Sequence, residues 1–324
     1  MEIKKRHVDG CIKCNSKILK FEKDIKGKKY PTTCKNCKTI LRKIVNYCPY
    51  CKSNSYEKWG EKVRNFYSVK CKNCELVYLK NPLSNKTQNL YYKNYATNVH
   101  QKGNLKNKQR SIMYKHELNY LIETADNFKK IKDVLDIGCG GGFFLDLLKK
   151  YKKNTYGIEV GRDSFEIASR KHKMFYGNFD RKLKIKRKFD LIILRGVIEH
   201  VDDPKSYVFG AQKILKRNGY IFISATPDLD SIAAKIFKER WTQHRPESHI
   251  IHLSEKHVDK LFPKKKFVKL GSKSLYLNTP YENFKKDIIQ MSDEIKRQSV
   301  RKKSKMISPP FFGNMMTLIY KKRY

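Results

Sequence analysis

The sequence lacks long apolar runs, and acidic residues are scarce among its 324 positions. No run approaches the roughly 20 apolar residues that a membrane-spanning helix needs. The first ten residues are charged and carry no apolar core of the kind found in secretory signals. We therefore predict a cytoplasmic protein without a membrane span, whose 40% of hydrophobic residues can still build a packed core.

Asp and Glu number only 31 against 72 Lys and Arg, which gives a formal net charge of +41. Such an excess is typical of proteins that bind nucleic acid or another polyanion, such as an anionic glycan. The competing interpretation is compositional, because Lys, Asn, Ile, Tyr and Phe all have A/T-rich codons. The lysines are spread along the whole chain, whereas a dedicated phosphate-binding face is more often clustered and rich in arginine. This spread favours the compositional interpretation, and nucleic acid stays a possible partner.

Cysteine is almost absent after residue 75, but eight cysteines form C-x-x-C pairs before that point. The pairs are Cys11/Cys14, Cys34/Cys37, Cys48/Cys51 and Cys71/Cys74. A gap of 19 residues separates the first pair from the second and the third from the fourth, which indicates a duplicated unit. Two such pairs supply four thiolates, which complete the tetrahedral coordination of one zinc ion. We predict two structural zinc sites, in which the metal replaces a core that such small lobes cannot build.

Two other roles compete with zinc binding for the cysteine pairs. A single C-x-x-C pair can be a redox centre, but four pairs at a repeated spacing argue against this. An iron–sulfur cluster also uses four thiolates, and the spacing, typical of zinc ribbons, favours zinc. The function of the ribbons stays open between binding RNA, holding the substrate and bracing the fold.

The composition changes along the chain and predicts four segments. They are a first zinc ribbon at 1–44, a second at 45–80, a linker with an N-terminal helix at 81–130, and a catalytic domain at 131–324. Short runs at 40–45 and 76–79, within the two ribbon segments, have the residue pattern of β-strands. In the catalytic domain, apolar strands at 134–137, 155–160, 189–194 and 220–225 alternate with helices at 143–151, 164–173 and 204–215. This order predicts an α/β fold with a parallel, doubly wound sheet. Two late strands, at 267–277 and 315–320, are joined by a helix near 281–290.

A glycine-rich turn follows the first of these strands and opens the first helix. It reads Asp136-Ile137-Gly138-Cys139-Gly140-Gly141-Gly142, which has the form D-x-G-x-G-x-G. Glycines allow a tight turn and a close approach of the backbone to a ligand. The acid at the strand end fits a ligand with an ammonium group better than one with a pyrophosphate. Glu159 ends the next strand, about 20 residues further on, where an acid can accept hydrogen bonds from ribose hydroxyls. On these residues alone, an NAD-dependent enzyme is the alternative.

The turn resembles motif I of the class I S-adenosylmethionine-dependent methyltransferases, and Glu159 is similar to their ribose-binding acid. The resemblance implies a Rossmann-like sheet of seven mostly parallel strands with a reversed terminal hairpin, and S-adenosylmethionine as cofactor. It implies cofactor contacts for Asp136, Gly138, Cys139, Gly140, Gly142, Glu159, Val160, Asn178 and Arg195. Asn178 stands where the family often has an acid that contacts adenine, and its amide oxygen can accept the same hydrogen bond.

Two further segments resemble narrower groups of this family. The stretch from Glu199 to Pro204 resembles the EH-x-x-D-P segment of the ubiquinone-type O-methyltransferases. Residues 246–254 resemble a segment of bacterial methyltransferases that are often associated with sugars and carry one N-terminal zinc ribbon. The match runs from about Cys48 to the C-terminus, and residues 1–44 lie outside it.

Methyl transfer requires that the acceptor is held in line and desolvated. An oxygen acceptor can also need a general base, for which histidine is the usual choice near neutral pH. We predict His200, just past the fourth strand, and His249, in a loop expected to cover the pocket, as catalytic residues. A structural role is the alternative for each. One carboxylate and one imidazole, from Glu199 and His200, are too few for a hard-metal site, so we predict no active-site metal.

We therefore predict an enzyme that methylates oxygen or carbon of a small-molecule or carrier-linked sugar acceptor. The alternative is an RNA methyltransferase whose ribbons and lysines bind the phosphate backbone. The N-P-P-Y type motif of amino-base methyltransferases is absent after the fourth strand, where the chain reads Leu194-Arg195-Gly196-Val197. A third hypothesis, a non-catalytic nucleic-acid-binding module with a relict fold, is disfavoured by the intact turn and Glu159. The pattern indicates neither the acceptor nor the oligomeric state.

Overall fold

The computed structural model describes residues 11, 14, 16–92, 105–179, 183, 185–302 and 304–324, with backbone only at 89–92 and 105–107. Among these residues, no helix is both long enough and apolar enough to cross a membrane. The cytoplasmic location and the four segment boundaries stay predictions.

The cysteine-rich part of the chain folds into two small lobes, each with an antiparallel hairpin. The first lobe contains β1 (Leu19–Lys23) and β2 (Lys29–Cys34), and the second contains β3 (Tyr56–Lys58), β4 (Ser68–Cys71) and β5 (Val77–Leu79). The same backbone hydrogen bond opens both lobes. The amide of Cys11 donates to the carbonyl of Ser16, and the amide of Cys48 donates to that of Ser53, each at 2.8 Å. This matched geometry supports a duplication of one unit.

The chain between the two lobes forms no strand at residues 40–45, all of which the structure describes, so that prediction is wrong. Ile40 and Arg42 make only isolated bridges, to Thr33 and Leu83 respectively. Arg42 is buried, and its guanidinium lies 4.5 Å from the centre of the Phe66 ring. This stretch joins the two lobes, since the amides of Lys43 and Val45 donate hydrogen bonds to the carbonyls of Pro82 and Lys80.

Seven strands from the remainder of the chain form one sheet. They are β6 (Asp133–Ile137), β7 (Asn154–Glu159), β8 (Lys173–Tyr176), β9 (Phe189–Arg195), β10 (Leu215–Pro227), β12 (Phe267–Lys273) and β13 (Met315–Lys322), whereas β11 (Ile251–His252) lies outside this sheet. Their spatial order is β12-β13-β10-β9-β6-β7-β8. All neighbours are parallel except that β13 runs antiparallel to β10 and β12. The predicted doubly wound sheet with a reversed terminal hairpin is therefore confirmed.

Eight α-helices fall within the described residues. They are α1 (Asn85–Tyr92), α2 (Leu105–Thr124), α3 (Phe143–Lys150), α4 (Arg162–Ser169), α5 (Pro204–Lys213), α6 (Ile232–Phe237), α7 (Glu255–Asp259) and α8 (Phe284–Ser299). The start of α5 explains why Asp203 is followed by Pro204 in the sequence. The carboxylate of Asp203 caps the helix by accepting a hydrogen bond from the amide of Ser206 at 3.1 Å. Pro204 occupies the first turn, where its missing N–H costs nothing.

The central strand β9 is apolar along its length because both faces of the sheet are covered. Leu191 and Ile193 pack on one side with residues of α2 and α3. Ile192 and Leu194 pack on the other side, with residues of α5 and of the second cysteine-rich lobe. This second lobe therefore contributes to the main hydrophobic core.

A strand from the second half of the chain completes the sheet of the second lobe. Ile251 and His252, which form β11, pair antiparallel with Tyr78 and Val77 of β5. The result is a four-stranded sheet with the order β11-β5-β4-β3. This pairing fixes the loop that precedes β11 against the lobe.

Several elements differ from the sequence-based expectation in extent. The strand expected at 267–277 ends at Lys273, and the helix expected at 281–290 runs over Phe284–Ser299. The helix continues because its second half is anchored: Glu294 is buried and accepts a hydrogen bond from Arg240 at 2.6 Å. The edge strand β8 was not predicted, since only part of each side chain in it is buried and its apolar pattern is weak.

Candidate functional site

A large cavity of about 2010 Å³ lies at the carboxyl edge of the sheet. It is lined by residues that follow β6, β7, β8 and β9, and by parts of α2, the second lobe and the loop before β11. Ligands of doubly wound sheets bind at this edge, where the strand ends and helix starts converge. The predicted residues that line the cavity are Asp136, Gly138, Cys139, Gly140, Glu159, Val160, Asn178, Arg195, His200 and His249.

The glycine turn between β6 and α3 needs glycine for two different reasons. Gly142 has φ +80°, and a Cβ there would lie 2.7 Å from the ring of His172. Gly142 therefore permits packing and, unlike the rest of the predicted set, does not line the cavity. Gly140 has φ +56°, and a Cβ there would meet no atom within 4 Å. This open space lies on the cavity side, where the backbone can approach a ligand.

Asp136 is the penultimate residue of β6, which leads into the turn, and it is buried, with 2% of its surface exposed. Its Oδ1 atom accepts no hydrogen bond within the described structure. Burial, opposed by Arg195 and reinforced by Glu159 and Glu117, raises the pKa of Asp136 to about 8. A buried carboxyl oxygen without a donor is costly unless a ligand supplies one. Asp136 is thus suited to a ligand that carries a positive donor group.

Glu159 ends β7 and is held by three backbone amides. Its Oε2 accepts a hydrogen bond from the Gly140 amide at 2.8 Å, and its Oε1 accepts from the amides of Val160 at 2.9 Å and Gly161 at 2.7 Å. Burial raises the pKa of Glu159, while these amides oppose the shift. Because each carboxylate oxygen has two acceptor sites, Oε1 is fully used, and Oε2 can accept one further hydrogen bond from a ligand hydroxyl.

Arg195 follows the apolar core of β9 and is fixed by α2. Its Nη2 donates a hydrogen bond to the Glu117 carboxylate at 2.9 Å, and its guanidinium lies 4.3 Å from the centre of the Tyr114 ring. Arg110, Tyr114 and Glu117 all line the cavity, and their spacing of four and three residues places them on one helix face. Sequence reasoning missed this face, although its periodicity was a readable signal. Asn178 lies after β8 and is exposed toward the cavity.

The two predicted catalytic histidines lie together. The rings of His200 and His249 meet edge to face, with their centres 4.8 Å apart. The Nδ1 atom of His200 donates to the carbonyl of Ser248 at 2.9 Å, and that of His249 donates to the carbonyl of Gln243 at 2.6 Å. Burial lowers the pKa of His200 to about 4 and that of His249 well below its ordinary value. Burial also raises the pKa of the neighbouring Glu199 to about 8.

The second cysteine-rich lobe reaches into the same cavity. Val63 and Arg64, in the loop between β3 and β4, line it. The guanidinium of Arg64 forms an ion pair with Glu247, which lies two residues before His249. The lobe therefore helps to position the loop that carries one of the predicted catalytic residues, a connection that the sequence did not reveal.

The eight paired cysteines form two four-cysteine clusters, with the partners that the repeated spacing predicted. One cluster contains Cys11, Cys14, Cys34 and Cys37, and the other contains Cys48, Cys51, Cys71 and Cys74. The closest sulfur pairs in the clusters are 3.3 to 3.6 Å apart. These separations are far longer than a disulfide bond of about 2.05 Å. They match thiolates that surround one ion at about 2.3 Å each.

A doubly wound seven-stranded sheet with a reversed hairpin, and an acidic glycine turn at its carboxyl edge, define a class I S-adenosylmethionine-dependent methyltransferase. The family model described as a methyltransferase domain matches residues 107–268, which is half of the chain. The chain therefore belongs to the methyltransferase domain family.

Similarity to individual proteins covers smaller parts of the chain. The ubiquinone biosynthesis O-methyltransferase of Pelagibacter ubique (strain HTCC1062) is 32% identical over 112 residues, which are 33% of this chain and 47% of the relative. The protein of the same name from Proteus mirabilis (strain HI4320) is 30% identical over 116 residues, 33% of this chain and 46% of the relative. This chain thus spans about half the length of the curated relatives it matches.

A solved structure shows the same fold. It is a chain from the complex between the Haloferax volcanii Trm112 methyltransferase activator and its methyltransferase. The likeness has a TM-score of 0.50 and 13% identity, and it covers 72% of this chain and 97% of that chain.

Proposed function

We propose that the protein transfers the methyl group of S-adenosylmethionine to an oxygen atom of a small-molecule acceptor. The observation that carries this proposal is that one cavity is lined both by the glycine turn with Glu159 and by the pair His200 and His249. The names of the relatives support oxygen as the acceptor atom, with carbon as the alternative. A carrier-linked sugar is the finer hypothesis, supported by the sequence segment at 246–254.

The residues around the glycine turn fit S-adenosylmethionine, which supplies a methyl group on a positively charged sulfur. The unsatisfied Oδ1 of Asp136 suits the amino group of its methionine part. Glu159 suits a ribose hydroxyl, and the open backbone at Gly140, beside Gly138 and Cys139 in the cavity wall, suits close approach of the methionine part.

Three further residues complete the proposed cofactor half of the cavity. Asn178 is assigned to the adenine amino group, and Val160 to contact with the base. Arg195 uses only some of its five donors on Glu117, so another can bind the cofactor carboxylate. Gly142 is assigned to the packing of the turn rather than to direct contact, since its Cβ position faces His172.

His200 and His249 are proposed to act on the proton of the acceptor. Each ring donates its Nδ1 hydrogen to a backbone carbonyl, so the lone pair of the neutral ring lies on Nε2. Such a nitrogen can accept a hydrogen bond from an acceptor hydroxyl before its oxygen attacks the methyl carbon. The buried setting also removes water that would weaken the nucleophile.

The two four-cysteine clusters are proposed to hold one structural zinc ion each. Each cluster offers four thiolates and no open coordination position, which suits zinc as a structural metal rather than as a catalyst. For the second cluster, the hairpin that it fixes carries Arg64 to the cavity.

Calorimetry with S-adenosylhomocysteine tests the cofactor half of the proposal. We expect binding by the native protein, a loss in Glu159→Ala, and unchanged binding in Glu123→Ala, which removes an exposed acid of α2 outside the cavity. No binding by the native protein would sink the proposal.

The acceptor is tested with methyl-labelled cofactor and fractionated cell material. Label in small molecules or glycans supports the proposal, and label in RNA replaces it by the RNA methyltransferase hypothesis. A gel-shift assay with bulk RNA at increasing salt concentration shows whether the protein, with its net charge of +41, binds a phosphate backbone.

A further inference from the structure

The acceptor part of the cavity contains an arginine to which the proposed reaction gives no role. Arg245 lies in the loop before β11, and it is exposed and lines the cavity. Its backbone carbonyl accepts hydrogen bonds from the amides of Ser248 at 2.9 Å and His249 at 2.7 Å. The backbone of Arg245 is therefore fixed relative to one of the two histidines that are proposed to act on the acceptor.

The side chain of Arg245 is oriented through its Nε atom. This atom donates a hydrogen bond to the carbonyl of Thr242 at 3.2 Å. Thr242 is itself fixed, because its amide donates a hydrogen bond to the hydroxyl of Ser308 at 2.9 Å. A guanidinium that is held through Nε keeps its two Nη groups for a second partner. These groups form a planar fork that matches two oxygens of a carboxylate or a phosphate.

The positive charge of Arg245 is not neutralised by the acids near it in the chain. Among the residues that the structure describes, Arg245 forms no ion pair, and its side chain makes only the hydrogen bond to Thr242. Two nearby acids that also line the cavity are engaged elsewhere. Glu247 forms its ion pair with Arg64 of the second lobe, and Glu239 lies 3.7 Å from its neighbour Arg240. The chain thus presents Arg245 to the cavity as a cation without a counter-ion.

The guanidinium acts electrostatically on the side chains that are proposed to react. Burial lowers the pKa of His200 and of His249, and the positive charge of Arg245 lowers both pKa values further. An anion bound to Arg245 would therefore lie on the same side of the cavity as the two histidines. There it can belong to the molecule whose hydroxyl they contact.

We propose that Arg245 determines the class of acceptor by binding a carboxylate or phosphate group of the substrate. The inference rests on the proposed function, in which the acceptor hydroxyl lies beside His200 and His249. A charged contact away from the reacting oxygen uses binding energy to orient that oxygen toward the methyl group. The ion pair of Arg64 with Glu247 holds the same loop, so the second lobe stabilises the anion site as well.

The first test measures how small probes bind to the full chain in the presence of saturating S-adenosylhomocysteine. The probes are benzoate, phenyl phosphate and benzamide, which is a neutral isostere of benzoate. We expect at least one of the two anions to bind about tenfold or more tightly than benzamide, because hydrogen bonds between charged groups are the stronger ones. The tighter anion identifies the preferred group as a carboxylate or a phosphate. Ligand-observed nuclear magnetic resonance measures the affinities, and equal binding of all three probes overturns the inference.

Matched variants locate the bound anion. Arg245→Gln should abolish the preference for the anion, and Arg245→Lys should retain only part of it, because lysine keeps the charge but lacks the planar fork. The control is Arg217→Gln, which removes an exposed arginine of β10 outside the cavity and should leave the preference unchanged. A preference that survives Arg245→Gln, or disappears equally in Arg217→Gln, overturns the assignment to Arg245.

The methylated product provides a second readout. With methyl-labelled cofactor and fractionated small molecules, the labelled product of the native protein should be retained by an anion-exchange resin at neutral pH. Release of the label from the resin by phosphatase identifies a phosphate, and release by acidification to about pH 3 identifies a carboxylate. Arg245→Gln should reduce labelling at limiting acceptor by about tenfold or more. A labelled product that is not retained overturns the inference.

S-adenosylhomocysteine binding separates this inference from the proposed function. A native protein that binds S-adenosylhomocysteine but shows no preference for an anion contradicts only the role of Arg245. A native protein that does not bind S-adenosylhomocysteine contradicts the proposed function, and with it the role of Arg245 in that reaction. Arg245→Gln should bind S-adenosylhomocysteine as the native protein does. A loss of that binding in Arg245→Gln, with an unchanged melting temperature, would assign Arg245 to the cofactor and overturn the inference.

Discussion

The ammonium of Lys80 lies 3.2 Å from the carboxylate of Asp24, and both side chains are completely excluded from solvent. Asp24 belongs to the hairpin turn of the first lobe, while Lys80 directly follows β5 of the second. Tyr56 donates a hydrogen bond to the same carboxylate at 2.8 Å, and Lys80 also donates to the carbonyl of Val45 at 2.6 Å. The two lobes are thus joined by a buried ion pair with further hydrogen bonds.

Replacing Lys80 by Met should destabilise the protein by about 3–5 kcal/mol, because Asp24 is left buried without its cation. The control is Lys58→Met, which breaks the exposed pair with Glu61 and should cost about 1 kcal/mol at most. Urea unfolding of both variants measures the difference. Equal stabilities for the two would mean that the Lys80–Asp24 pair is not a fixed contact in solution.

The affinity for S-adenosylhomocysteine should depend on pH through Asp136. Burial raises its pKa to about 8 in the ligand-free protein, and the charged form suits an amino group better. Affinity should therefore fall as pH drops below about 8, by up to about tenfold for each pH unit. Calorimetry between pH 6 and 9 measures this, and Asp136→Asn should bind weakly with little pH dependence. An equally steep profile in that variant would assign the effect to another group.

The raised pKa of Asp136 also affects the stability of the ligand-free protein. The folded-state pKa of Asp136 lies above its unfolded value, so the folded protein retains a proton that the unfolded chain releases. This group should therefore destabilise the ligand-free protein as pH rises from about 4 to about 8. In Asp136→Asn, that part of the pH dependence of the melting temperature should disappear.

Two glycines of the turn should respond differently to alanine. Gly142→Ala forces a Cβ toward the His172 ring and also strains a left-handed backbone, so it should cost about 2–5 kcal/mol of stability. Gly140→Ala meets open space and should cost only about 1–2 kcal/mol for its left-handed backbone. It should nevertheless weaken S-adenosylhomocysteine binding more than Gly142→Ala does, because its Cβ enters the ligand space. Thermal unfolding ranks the two variants by stability, and calorimetry ranks them by affinity for S-adenosylhomocysteine. We expect opposite rankings, and the same ranking in both measurements would contradict the prediction.

Metal removal should affect the two lobes unequally. Metal analysis should give two zinc ions in the cysteine clusters, and Cys37→Ser and Cys71→Ser should each lose one. Cys71→Ser should lower the melting temperature of the whole protein, because Cys71 and its lobe pack in the main core. Cys37 belongs to a small separate cluster, so its loss should lower the melting temperature less, mainly by loosening the Lys80–Asp24 pair. Iron in place of zinc, or one ion in the native protein, would refute the two-zinc assignment.

The parts of the fold that could be predicted are those in which local sequence and burial agree. The strand from Phe189 to Arg195 is apolar at nearly every position because both its faces are covered, and such a run can be recognised without tertiary information. The cysteine clusters could be paired from spacing alone, since a tetrahedral ion imposes its own geometry. The glycine turn could be recognised in the sequence because its backbone conformations exclude most other residues.

The parts that escaped prediction depend on contacts between distant segments. β11 has only two residues, and nothing local marks Ile251 and His252 as partners of β5. The meeting of His249 with Glu199 and His200 follows from that pairing, so the proximity of these three side chains could not be predicted from two separate motifs. The residues of α2 that hold Arg195 recur with helical periodicity. They are polar, however, and resemble an ordinary solvent-exposed surface, so the sequence did not identify them as part of the site.

The pairing of β11 with β5 also decides how modular this protein is. A chain shortened to begin at residue 81 would keep every strand of the seven-stranded sheet but leave β11 as an unpaired edge beside an uncovered apolar surface. A chain shortened to begin at residue 45 would keep the seven-stranded and four-stranded sheets complete, but it would lose the ion-pair partner of Lys80, the hydrogen-bond acceptor of Tyr56 and the packing of Arg42 on Phe66. The second lobe is therefore built into the methyltransferase domain through a shared sheet, whereas the first lobe keeps a separate two-stranded sheet and is held mainly by side-chain contacts such as the Lys80–Asp24 pair.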